Sequence, residues 1–169
     1  MSIPEGSHTI GPSNGSLKVK TGKEGAAAKM GHNLVLGVNS WEATIEGGDS
    51  PSIKLTADPG SLEVLSGEGG AKPLSDKDKN DIKKGIDKKV LGSSQITFTS
   101  SEVTDSQAKG DLSIAGSSSQ VSVPISVSGD KISGSTTLSQ KDFGIKQFSA
   151  MMGALKVTDQ VTVEFEGTL

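Results

Sequence analysis

Imidazole chemistry in this chain rests on two residues, His8 and His32, and cysteine is absent. A metal site would need both histidines and a carboxylate, and their spacing favours none, so no metal is expected. As a base, His32 in "MGHNL" would require a nucleophile brought to it by the fold. A structural hydrogen bond near a strand start, or one polar contact in a pocket, is the stronger reading. "SQAK" (Ser106 to Lys109) and "KTG" (Lys20 to Gly22) echo two motifs of penicillin-binding enzymes, but in reversed order and without the third element. Asp76, Asp78 and Asn80 match the first, third and fifth positions of a calcium loop. The glycine position holds Asp81, however, and the closing glutamate position holds Asp87. Acids matched to the dipole of a helix start explain that run better. With no nucleophile elbow, phosphate loop or dinucleotide fingerprint, neither catalysis nor a cofactor is expected.

The remaining chemistry is soft and apolar. The chain carries one tryptophan and four phenylalanines. Two of the latter fall in "LSQKDFGIKQF" (138 to 148), with Met151 and Met152 directly after. Trp41, Phe98, Phe143, Phe148, Met151 and Met152 have two readings: ordinary core, or the lining and lid of a pocket.

Composition narrows the classes. Hydrophobic residues make up 32% and aromatics 3%, thin for a fully packed interior. The net charge is −3 and all 17 basic residues are lysine, so a nucleic-acid groove and bidentate arginine clamps are not expected. No apolar run approaches the roughly 18 residues of a membrane-spanning helix. The start, "MSIPEGSHTI", lacks the basic and apolar regions of a signal peptide. The sequence as given reads as cytoplasmic, or as periplasmic or secreted if a signal has been removed.

The elements that must position these residues have a period of two. Val161, Val163 and Phe165 share one face of "QVTVEF", and Val121, Val123, Ile125 and Val127 share one face of "VSVPISVS". Pro124 cannot donate to a ladder, which predicts an edge or a bulge there. Further strands are expected at "SLKVK", "SIKLTA", "QITFT", "DLSIA" and, more weakly, "KISGSTTL". Leu34, Leu36 and Val38 have even parity whereas Trp41, Ala43 and Ile45 have odd parity, which requires a bulge or break at Asn39–Ser40. Ile82, Ile86 and Val90 predict a helix over 75–91, capped by Ser75 and Asp78. "KEGAAAKM" (23 to 30) suggests a second, shorter turn of helix. The pattern predicts an all-β antiparallel barrel of about eight strands with one packed helix, in a single domain spanning 1–169.

In this order the segments resemble the YceI-like family of bacterial lipid-binding proteins. "HTIGPSNGSLKVKT" is similar to the family's opening hairpin, and "GHNLVLGVNSWEATIE" to its long early strand pair. "LSDKDKNDIKKGIDKKVLGSSQITFTSSEV" resembles the helix and the strand after it. "GDLSIAGSSSQVSVPISV" and "LSQKDFGIKQFSAMMGALKVTDQVTVEFEGTL" resemble the later strands and the D-F-G-I stretch. The resemblance implies a lipocalin-like barrel that binds, sequesters or transports a long apolar lipid, typically a polyisoprenoid or isoprenoid quinone. It also implies that a homodimer can form. On this reading the ligand would meet His32, Leu34, Leu36, Trp41, Phe98, Phe143, Ile145, Phe148, Met151 and Met152. Polar groups at the closed end would come from His32, Trp41 and Gln147. Two alternatives stay open: a protein-interaction module with a filled barrel and, further off, a lipid-modifying enzyme using His32.

Overall fold

Strict alternation puts every second side chain of a strand on one face of its sheet. The computed structural model describes residues 3–70, 73–86 and 94–169, with the side chains of Ala150 and Met151 excepted, and the shared apolar face is turned inward. The first strands are β1 (Ser7–Ile10), β2 (Gly15–Lys20), β3 (Lys23–Glu24), β4 (Asn33–Val38), β5 (Trp41–Glu46), β6 (Ser52–Ala57) and β7 (Leu62–Glu68). Helix α1 (Asp76–Ile86) follows, then β8 (Ile96–Val103), β9 (Gln107–Ile114), β10 (Ser117–Ser128) and β11 (Lys131–Ser139). The chain closes with β12 (Ser149–Ala150), β13 (Leu155–Val157) and β14 (Gln160–Thr168).

Among the described residues, one antiparallel sheet holds eleven strands, in the order β1-β5-β6-β8-β9-β10-β11-β14-β2-β4-β7. The expected number was about eight, and the difference has a geometric cause. β1 and β2 run in one direction against the continuous pass β5 and β4, which in turn pairs with β6 and β7. Three passes are therefore each broken by a corner, while β8, β9, β10, β11 and β14 are single. The eight passes form a ring, because β2 pairs with both β14 and β4.

The break inferred at Asn39–Ser40 is one of these corners. There the Asn39 N–H donates to the Ser61 carbonyl at 3.2 Å and the Ser40 N–H to Ser61 Oγ at 2.9 Å. The parity switch thus re-aims one long strand without ending its pairing. "GPSNG" does not make a hairpin, since β1 pairs with β5 and not with β2. It makes another corner, pinned by Asn14, whose side-chain oxygen accepts from the Gly11 N–H at 2.8 Å. "GHNLVLGVNSWEATIE" is correspondingly one kinked pass and not a strand pair.

One end of the barrel is packed solid. Ile10, Ile45 and Ile132 are fully buried there. Glycine makes room for Ile10: a Cβ on Gly15 or Gly167 would stand 2.7 or 2.4 Å from its Cγ2. Toward the other end the wall opens in two places. The ladder between β10 and β11 covers only Ile125–Ser128 against Lys131–Gly134. Pro124 stands where it stops, in keeping with the missing donor. Between β7 and β8 no ladder forms among the described residues, and α1 packs on β7 there.

Helix α1 begins as its sequence demands. The Asp78 N–H donates to Ser75 Oγ at 3.1 Å and the Ser75 N–H to Asp78 Oδ2 at 3.0 Å, a reciprocal capping box. Ile82 and Ile86 pack half-buried on the core. The expected continuation over 87–91, including Val90, lies outside the described residues. "KEGAAAKM" supplies the expected short turn only in its second half, as a 3-10 turn at Ala28–Met30, and its first residues form β3. β3 joins β13 and β12 in a small second sheet.

Candidate ligand-binding site

The inward faces of the strands do not meet. Between them lies an apolar cavity of about 460 Å³. Each wall strand contributes by alternation: Leu17 and Val19 from β2, Leu34 and Leu36 from β4, Ile53 and Leu55 from β6, Val121 and Val123 from β10, Val161, Val163 and Phe165 from β14. From α1, Ile82 and Ile86 close the side where β7 and β8 part. Nearly all polar lining groups sit away from the packed isoleucines, at the end occupied by the small sheet: Thr21, Lys23, His32, Asp81, Gln140 and Lys156.

The irregular stretch noted in the sequence closes the other opening. After β11 the chain makes a 3-10 turn at Gln140–Phe143, ended by Gly144 in the left-handed region at φ 71°. Asp159 holds this turn from the opposite strand end. Its carboxylate accepts from the Ser139 hydroxyl and, at 3.0 Å, from the Lys141 N–H. The Ser139 hydrogen bond is the main reason that its pKa lies below the ordinary 3.8, with the Lys141 N–H adding to it. So held, the turn drives Phe143 and Ile145 into a second apolar cluster with Leu138. That cluster fills the splay between β10 and β11.

The mouth is built by the small sheet. Lys23 Nζ donates to the Gly31 carbonyl at 2.8 Å, the Ala27 N–H to the Ala154 carbonyl at 2.7 Å, and the Val157 N–H to the Phe148 carbonyl at 3.0 Å. Segments 23–31 and 148–157 thereby form one unit. Met30 and Phe148 line the cavity from it and are also exposed to solvent, by 52% and 37%.

The wall residues alone describe a hollow barrel, and comparison with known proteins says which kind. A family model described as the YceI-like domain matches residues 10–169. The chain belongs to the YceI-like family. Its fold is similar to the crystal structure of Burkholderia cenocepacia BcnA, with TM-score 0.66, 16% identity, and 93% of this chain and 97% of that chain covered. A mutant CJ YCEI protein aligns with TM-score 0.56 and 13% identity over 79% of this chain and 82% of that one. The Campylobacter jejuni YCEI protein gives 0.50 and 15% over the same shares. No curated protein matches the chain. At the level of the family, this is a barrel of the ligand-binding type.

Within this YceI-like barrel, His32, Leu34, Leu36, Phe98, Phe143, Ile145 and Phe148 all line the cavity. Trp41 does not. It is buried behind Phe165, edge-on with ring centroids 5.9 Å apart, and its Nε1–H meets no acceptor among the described residues. Ala43, two residues on with the same parity, does line the cavity, so it is Phe165, packed against the indole, that keeps Trp41 out of it. Met152 is also absent from the lining, being fully exposed at the small sheet. The side chain of Met151 lies outside the described residues.

The polar groups expected at the closed end stand elsewhere. His32 is at the mouth, and the Gln147 amide is engaged by the Val157 carbonyl at 3.0 Å and by the Glu24 carboxylate. His8 sits apart from His32, on β1, donating from Nε2 to the Pro4 carbonyl at 2.9 Å. Among the described residues no three His, Cys, Asp or Glu side chains group as a metal site. Of the large-sheet strand residues that line the cavity, only Leu34, Leu36 and Phe98 are in the expected site, although alternation marks the others equally. Leu155 to Val157 and Met30 gave no such signal, because a short irregular segment carries no period.

Proposed function

We propose that this protein sequesters or carries one long apolar chain, of the polyisoprenoid or isoprenoid-quinone class, inside its barrel. The tail would lie against the strand residues and α1, with a polar head at the mouth among Lys23, His32 and Gln140. The observation that carries this reading is the cavity of about 460 Å³ walled by the inward apolar face of almost every strand. A volume of that order is typical of small-molecule sites, and it argues against a filled barrel serving only as an interaction module. The lining of the cavity is almost entirely apolar, which favours binding over the His32 enzyme reading.

Micromolar binding needs no covalent step provided that association costs no more than about 8 kcal/mol. Roughly twenty carbons moved from water contribute at most about 16 kcal/mol. Association costs roughly 4–15 kcal/mol, and a micromolar Kd needs about 8 kcal/mol. The test is extraction of the purified protein with organic solvent and mass spectrometry of the extract. A co-purified long-chain isoprenoid is the expected result, and a protein that neither yields nor takes up such a lipid refutes the proposal. Phe148→Glu, at the half-open rim, should weaken retention by about tenfold with little change in melting temperature. Unchanged retention would remove Phe148 from the site.

A further inference from the structure

Among the described residues four large apolar side chains are exposed, and three of them, Met30, Phe148 and Met152, stand on or beside the small sheet at the mouth. Met152 is the extreme case. Its backbone is held in the left-handed region at φ 57°, unusual for a residue with a Cβ, and its side chain is 106% exposed. Segments 23–31 and 146–156 carry four lysines, Lys23, Lys29, Lys146 and Lys156, against one acid, Glu24. The chain as a whole has more acids than lysines. The rim is thus apolar tips set among lysines, continuous with the cavity lining through Met30 and Phe148.

We propose that this rim is a docking face for an anionic lipid bilayer, through which the mouth of the barrel meets the membrane surface. Protein interfaces are depleted in lysine and alanine, whereas "KEGAAAKM" carries two lysines and three alanines and "SAMMGALK" adds one lysine and two alanines. Single projecting soft side chains flanked by lysine stems suit a bilayer interface, where the apolar tips enter the headgroup boundary and the ammonium groups stay with anionic headgroups. Docking does not depend on which lipid the barrel holds.

The test is co-sedimentation of the full chain with vesicles of phosphatidylcholine alone and of phosphatidylcholine mixed with phosphatidylglycerol in equal parts. Binding to the mixed vesicles, weakened by added salt, is expected, with much less to phosphatidylcholine. Neither Met152 nor Lys29 lines the cavity; Met152→Glu and Lys29→Glu combined should cut vesicle binding by about tenfold or more while lipid content and circular dichroism stay unchanged. Absence of wild-type binding, or binding that the double variant retains, overturns the proposal. A lipid-loaded protein that ignores vesicles would defeat docking and leave the carrier reading intact. An empty protein that binds them would do the reverse.

Discussion

Asp159 shows how one residue shapes the site without touching the cavity. It anchors the turn that delivers Phe143 and Ile145, and both its donors favour the ionised form. A carboxylate whose pKa is depressed in the folded state contributes stability above its unfolded pKa, and loses that contribution as pH falls through the folded value. The stability gap between wild type and Asp159→Asn should therefore be widest near neutrality and narrow as the pH drops below 3.8. Chemical denaturation at stepped pH checks this. A gap that stays constant with pH would mean that the carboxylate's charge plays no part in holding the turn. The local signs of this turn were visible in "DFGI", but Asp159 as its anchor was not, because the pairing spans 20 residues.

At the scale of elements, α1 is a wall of the cavity as well as a cover for the β7–β8 opening. Its start was fully legible, since a capping box is written within four consecutive residues. Its inward stripe was legible too, through Ile82 and Ile86. Gly85 lies on the same side and lines the cavity, and a Cβ there would approach Phe148 Cε2 at 4.0 Å, an ordinary contact. Gly85→Ala should therefore stabilise the protein by up to about 1 kcal/mol, through helix propensity and a less free unfolded chain. A higher urea midpoint at unchanged slope is the expected reading. The small sheet was much less legible: its strands are two or three residues long, too short for alternation to appear.

For the whole molecule, the carrier reading ties stability to occupancy. A ligand that binds only the folded barrel adds about 2.7 kcal/mol at a hundredfold excess over its Kd. Protein stripped of lipid by organic extraction and refolded should melt lower, and should recover when a long-chain isoprenoid is returned. Recovery with no added lipid would show that the hollow is tolerated empty. The packed end makes tolerance of some hollow intelligible, because Ile10, Ile45 and Ile132 give the ring a solid base.

Reading along the chain was enough to tell which side of each strand is oily, where α1 starts, where the long early strand must turn, and the all-β class. Each is a local property, set by neighbours two to four positions apart. It took the folded arrangement to show that eleven strand segments make eight passes, that Trp41 stands behind the cavity while His32 stands at its mouth, and that the exposed methionines share one rim with four lysines. Those depend on pairings such as Gly15 with Gly167 and Lys23 with Val157. Pairing partners so far apart are chosen by how the whole sheet curls, and the alternation of any one strand is the same whichever neighbour it finds.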